Sequence, residues 1–137
     1  MIATYEDFHA RGLTLTADAA GRLHVRRHGH RLNAADLHDL QQYRARIAAG
    51  WLWELTELPP ILAWDPTIAE ALMAKAVDWV RGPAFPPDAN WSLVEAADAA
   101  LEEAWRAQDL TQWVPAVKTW TSAVLGLWAG SAAARLV

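Results

Sequence analysis

The chain has 137 residues with a hydrophobic share of 53%, a charged share of 20% and a net charge of −4, which excludes a disordered polypeptide. Its lack of cysteine excludes disulfides and thiolate-held metal. Residues 1–50 carry seven Lys/Arg against five Asp/Glu and all five histidines, while residues 51–137 carry five against eleven and all nine tryptophans. The composition therefore divides the chain near Gly50 into a basic module over 1–50 and an acidic, tryptophan-rich helical module over 51–137.

Along the first module, Thr4 followed by Asp7 predicts a capping box that opens a short helix, with Gly12 closing it. Leu13, Leu15 and Ala17 alternate with Thr14 and Thr16, the period of a strand with one buried face. Residues 18–21 have turn chemistry. Leu23 and Val25 then alternate with Arg22, His24 and Arg26 in a second strand, which His28-Gly29-His30 breaks. Asn33 with Asp36 caps the next helix. The order is helix, hairpin, helix.

This residue order resembles the N-terminal docking domain of the TubC type, which binds the tail of an upstream subunit in nonribosomal peptide and polyketide assembly lines. The resemblance rests on Arg11-Gly12-Leu13-Thr14-Leu15, on Gly21-Arg22-Leu23-His24-Val25, and on Leu32-Asn33 leading into a helix with Leu37 and Leu40. It covers about a third of the chain, from Tyr5 to Ile47. In that family the domain heads a very large synthetase, whereas here an 87-residue helical segment follows. Modules of this kind also resemble the starts of small proteins from bacterial mobile elements. The resemblance implies an αββα fold and a strand edge that accepts a partner's extended segment. Arg22, His24 and Arg26, with Arg27 and Arg31 close by, suit an acidic linear motif. The plain alternative is a solvated strand face.

Further along, Leu37, Leu40, Tyr43 and Ile47 form a helical stripe whose phase continues through Trp51, Leu55 and Leu58. Either Gly50 caps this helix, or one helix runs on to Pro59-Pro60 with Gly50 inside it at a cost of about 1 kcal/mol relative to alanine. The unbroken phase favours the second. On that register Trp53 lies off the apolar stripe, an interface candidate. Asp65-Pro66 predicts a helix that reaches Arg81 and turns Ile68, Leu72, Ala76, Trp79 and Val80 inward. Residues 83–90 hold three prolines and read as a loop. Ser92 with Glu95 predicts a capping box for a helix burying Leu93, Ala97, Leu101, Ala104 and Trp105, with Glu95, Asp98 and Glu102 on the opposite side. A last helix carries Trp113, Val117, Trp120, Val124 and Leu127, with Pro115 near its start, and residues 129–137 read as a frayed tail. The fold class expected is mainly α within α+β: an αββα module with a two-stranded hairpin, then a bundle of three to four helices. Trp79, Trp105, Trp113, Trp120 and Trp51 are expected in the core, and Trp53, Trp64, Trp91 and Trp128 at partial exposure.

No nucleophile elbow, P-loop, dinucleotide fingerprint or zincin motif is present, so no catalytic residue is assigned and no cofactor is expected. His24, His28 and His30 cluster on one hairpin, but zinc needs three or four ligands converging within about 2 Å of the ion, and turn histidines satisfy the same pattern. No metal is therefore expected. The function expected is a non-enzymatic docking or adaptor protein of the cytoplasm that binds a protein partner through an acidic linear motif or a large nucleoprotein complex, with edge-to-edge homodimerisation as a further option. The acidic face at Glu95, Asp98 and Glu102 offers a different reading, a mobile-element inhibitor of the anti-CRISPR type that blocks a nuclease complex. A nucleic-acid-binding regulator using Arg22 to Arg31 is the third. An excess of two positive charges is small for it. No apolar run approaches the ~18 residues of a membrane span, and Met1 to Phe8 lacks the pattern of a secretory leader.

Overall fold

The computed structural model describes residues 5–27, 33–81, 84–85 and 89–129, with backbone alone at Arg26, Arg27, Trp128 and Ala129. Its elements are α1 (Tyr5–Ala10), β1 (Leu13–Ala17), β2 (Leu23–Arg27), α2 (Ala34–Glu54), α3 (Pro66–Trp79), α4 (Ser92–Ala107) and α5 (Leu110–Ala129). The fold is mainly α, an α+β arrangement of an αββα unit followed by three helices. Thr4, His28, His30, Arg31 and the tail from Gly130 lie outside the described residues.

Gly12, at φ 79°, ends α1 and turns the chain into β1. The two strands pair antiparallel with Leu15 opposite Val25 and Thr16 opposite His24. Leu13 is buried and Leu15 half-buried, so alternation along β1 turns its leucines inward and leaves Thr16 exposed. The Asp18 carboxylate shapes the hairpin turn by accepting the backbone N–H groups of Ala20 (2.9 Å) and Arg22 (3.0 Å). Phe8, Leu13 and Ile47 form a small cluster where α1, β1 and α2 meet, with Tyr5, Leu15, Val25, Leu40 and Tyr43 against it.

Asn33 caps α2 in a full capping box: its side chain accepts the Asp36 N–H at 2.8 Å, and the Asp36 carboxylate accepts the Asn33 N–H at 3.4 Å. Asp36 is buried, and Arg11 reaches it at 3.4 Å and Asp39 at 2.9 Å. The inward position of the first turn is thus a carboxylate, and Leu37, expected on the inner stripe, is 48% exposed. The helix departs from helical geometry at Tyr43 (φ −120°, ψ 20°). This bend lets Ile47 meet the small cluster while Ala48, Ala49, Trp51 and Leu52 enter the main core. The helix passes through Gly50 without a break and ends at Glu54, ahead of Pro59. Gly50 is buried because Tyr5 lies on it: a Cβ there would stand 2.7 Å from the Tyr5 Cβ.

Asp65 caps α3 as its motif predicts, accepting the N–H of Thr67 at 2.9 Å and of Ile68 at 3.4 Å, with Pro66 in the first turn. The helix stops at Trp79, short of Arg81. The inward row is Ile68, Ala69, Leu72, Ala76 and Val80, so Trp79 flanks it and is 62% exposed rather than core. A similar shift affects α4. Its buried row is Val94, Ala97, Leu101 and Ala104, leaving Leu93 72% and Trp105 38% exposed. Nor does Ser92 act as the cap. The residue ahead of the helix is Trp91, which has no side-chain cap, and the Asn90 side-chain oxygen accepts both the N–H (3.0 Å) and the hydroxyl of Ser92, which spends that hydroxyl as a donor. Gln108 in the left-handed region (φ 51°) reverses the chain into α5, and Asp109 accepts the N–H of Thr111 at 2.9 Å. Pro115 lies inside α5, which begins at Leu110, and so falls past the first turn, where its missing N–H would have cost least.

The main core joins Leu52, Leu62, Leu72, Leu101, Leu110, Trp113 and Val117, with Tyr5, Leu15, Ala17 and Leu23 from the first module packed against it. Trp113 donates its indole N–H to the Ala69 carbonyl at 2.9 Å and meets Trp64 and Trp105 edge-on at centroid distances of 6.5 and 5.5 Å. Trp51 and Trp113 are buried and Trp120 half-buried. Among the described residues no helix is long and apolar enough to cross a membrane.

Two glycines inside helices give opposite expectations for the same substitution. Helix propensity alone favours alanine at both by about 1 kcal/mol. At Gly126 nothing lies within 4 Å of the new methyl, so Gly126→Ala stabilises. At Gly50 the methyl strikes the base of Tyr5, and overpacking of about 1–3 kcal/mol makes Gly50→Ala destabilising. Urea unfolding of the two variants reads both signs.

Candidate protein-docking surfaces

The hairpin is held on the rest of the chain by its turn. Gly21 is buried at φ 81°, and its carbonyl accepts the N–H of Ala63 at 3.0 Å. A Cβ at Gly21 would lie 2.5 Å from the Ala63 nitrogen and 2.8 Å from Leu62 backbone atoms. Only glycine meets both conditions. The Arg44 guanidinium on α2 stands 3.8 Å from the Asp65 carboxylate, a second tie between α2 and the start of α3.

With the turn fixed, the strand edges follow. The Asp18 N–H donates to the Arg22 carbonyl at 2.9 Å, so positions 18 and 22 form a hydrogen-bonded pair. Antiparallel alternation then makes Thr16 and His24, and Thr14 and Arg26, the next bonded pairs. The N–H and C=O groups of Leu23, Val25 and Arg27 face the outer edge of β2, and among the described residues no strand pairs with them. On β1, α1 packs close by. Between the hairpin's inner face and α2 lies an apolar groove of about 180 Å³, lined by Leu15, Leu23, Val25, Leu40 and Ile47 with Arg44 at its polar margin.

The charge on this hairpin is less basic than its arginines suggest. Arg22 and His24 are exposed, but His24 Nε2 lies 2.7 Å from the Asp18 carboxylate. The His24 hydrogen bond, followed by those from the Arg22 and Ala20 backbone, holds the Asp18 carboxyl below its usual range. Sequence reading missed Asp18 as a charge partner because its turn role masks it. It also missed Arg44, which pairs with Asp65 and lines the cavities beside the hairpin. Register places Arg26 opposite Thr14 and Arg27 opposite Leu13, so the two arginines occupy alternate faces of the sheet. Their side chains, Arg31, His28 and His30 lie outside what is described, and among the described residues no three His, Asp or Glu groups converge as a metal site would.

The second candidate surface is on the helical half. Glu95, Asp98 and Glu102 are all exposed along one side of α4, with Glu102 3.5 Å from Arg106 one turn on. Trp53 is half-buried because Trp79 covers it at a centroid distance of 6.2 Å. Trp79, placed in the core by its spacing, is the more exposed ring of the pair. Phe85 and Trp91 form another exposed pair at 4.9 Å, next to Leu93. The four acidic and aromatic candidates are thus split: the carboxylates lie together on α4, and Trp53 belongs to the α2–α3 side. Compared with family models, curated proteins and solved structures, the chain matches none.

The Asp18 carboxyl yields a pH dependence with a definite sign. Its folded value is lowered, so its contribution is present above the ordinary carboxylate value and disappears as pH falls through the lowered one. Asp18→Ala is expected to lower the urea midpoint near neutral pH, with the gap to the parent closing on acidification. A gap that stays constant with pH contradicts the assignment.

Proposed function

We propose that the chain is a non-enzymatic docking protein whose hairpin receives an extended, acidic segment of a larger assembly by strand addition at the outer edge of β2. The observation that carries this reading is the outward row of backbone groups at Leu23, Val25 and Arg27, with which no strand pairs among the described residues. Such an edge gives affinity through main-chain hydrogen bonds, while Arg22 and its neighbours select acidic side chains. The resemblance of Arg11 to Val25 to TubC-type docking domains points the same way. The partner is then a protein, met in the cytoplasm, and the edge also admits a second copy of the chain. Residues 51–137 contribute the acidic and aromatic surface that the assembly meets next.

One observation favours a second reading. The exposed carboxylates of Glu95, Asp98 and Glu102 suit occupation of a basic nucleic-acid channel, as in an inhibitor of the anti-CRISPR type. Direct nucleic-acid binding draws less support, because Asp18 offsets His24 on the basic face.

Affinity capture from the native host, with mass spectrometry of the bound protein, separates the readings. Arg22→Glu with Arg26→Glu is expected to weaken capture at least about tenfold, the scale of one lost charge-assisted contact, while lysine at Glu95, Asp98 and Glu102 leaves it unchanged. The opposite pattern establishes the inhibitor reading and removes the docking one.

A further inference from the structure

Where the hairpin turn meets the return segment before α3 there is a cleft of about 350 Å³, within the range of ligand-binding sites. Its walls come from three separate stretches: Arg22, Leu23 and His24 on the hairpin, Arg44 on α2, and Leu62 and Trp64 on the return segment. Ile68 and Leu110 complete an apolar floor. Two guanidinium groups and an imidazole therefore surround a greasy depression.

His24 is paired with Asp18 at 2.7 Å and Arg44 faces Asp65 at 3.8 Å, which leaves Arg22 as the surplus cation of the cleft. Among the described residues no carboxylate pairs with the Arg22 guanidinium. Asp65 is the one carboxylate lining the cleft, and its Oδ1 is committed to capping α3 through the Thr67 and Ile68 N–H groups. Its contact with Arg44, at 3.8 Å, is at the long end of an ion pair, and Arg44 is 68% exposed at its side chain. An incoming carboxylate gains charge-assisted hydrogen bonds from guanidinium groups held ready beside an apolar floor.

The geometry points to this cleft as a composite recognition pocket for an acidic residue flanked by apolar ones in the partner's docking segment, its carboxylate taken by Arg22 and Arg44 and its apolar neighbour by Leu23 and Leu62. The assignment rests on the docking reading, and it adds that residues 62–65 of the helical half complete the site. Leu23 and His24 belong both to the cleft and to β2, so a segment in the cleft lies beside the strand it would join. A nucleic acid fits less well. Trp64 is packed edge-on against Trp105 at 5.1 Å and Trp113 at 6.5 Å, so it is a poor stacking platform for a base.

The test uses the full chain, isotope-labelled, with three probes: an acetylated hexapeptide amide alternating leucine and glutamate, the same peptide with glutamine, and an oligothymidylate. Amide shifts report the cleft, and amide hydrogen exchange across Leu23, Val25 and Arg27 reports strand addition. The glutamate peptide is expected to shift Gly21, Arg22, Ala63 and Trp64, and to bind at least about tenfold more tightly than the glutamine peptide. Arg44→Gln, which gives up only the long, exposed contact with Asp65 and keeps the protein folded by melting, is expected to remove that preference, and Arg44→Lys to restore part of it. If both peptides protect β2 equally and Arg44→Gln has no effect, strand addition stands and the pocket falls. If the cleft shifts with no protection of β2, the pocket stands and strand addition falls. No binding of either peptide, or stronger binding of the oligothymidylate, overturns the pocket.

Discussion

A single backbone hydrogen bond, from the Ala63 N–H to the Gly21 carbonyl, fixes how the hairpin sits on the helices. Its geometry demands a residue with positive φ and no side chain, and the chain supplies one at the last turn position before β2. The Asp18 carboxylate prepares that turn by binding the N–H groups on either side of Gly21. Once the turn is seated, Leu15, Ala17 and Leu23 reach the main core, and α2, bent at Tyr43, runs from the hairpin cluster into that core. The inner face of the sheet is thereby covered while, among the described residues, no strand pairs with the outer edge of β2. An isolated two-stranded hairpin is marginal in water, so a docking edge of this kind depends on the support behind it.

This arrangement changes the meaning of the compositional break at Gly50. The charge and tryptophan content switch there, yet the backbone does not pause: Gly50 is a buried helical residue beneath Tyr5. What changes is the kind of surface presented. Before it, Arg22 and His24 are exposed on the hairpin, with Asp18 paired to the histidine. After it, the exposed groups are the carboxylates of α4 and the aromatic rings of Trp79, Trp91 and Phe85. Three of the nine tryptophans are accommodated outside the core by ring pairing, Trp53 with Trp79 and Trp91 with Phe85.

Local signals in the sequence were legible and long-range ones were not. Asn33 with Asp36, Asp65 with Pro66, and the alternation of Leu13, Leu15 and Ala17 each act over a few residues, and each produces the element it predicts. Ser92 with Glu95 has the same form but loses to Asn90, whose side-chain oxygen competes for the same N–H from two residues upstream. Trp79 and Trp105 were misplaced because a helical stripe read from apolar spacing is wider than the row that meets a neighbour, and alanine fills that row instead. Of the docking surfaces, the exposed Arg22, His24, Glu95, Asp98 and Glu102 could be read directly. The contributions of Arg44, Ala63 and Asp65 depend on contacts between residues about twenty to forty positions apart, and nothing local marks them.

The docking edge requires the hairpin to be carried by the helices rather than to fold beside them. Native-state hydrogen exchange measures this directly, residue by residue. The Ala63 amide and the paired amides of His24 and Thr16 are expected to open with the same free energy as Val117 in α5, in one cooperative event. Exchange of the hairpin and of Ala63 at a much lower free energy, with Val117 still fully protected, would contradict it.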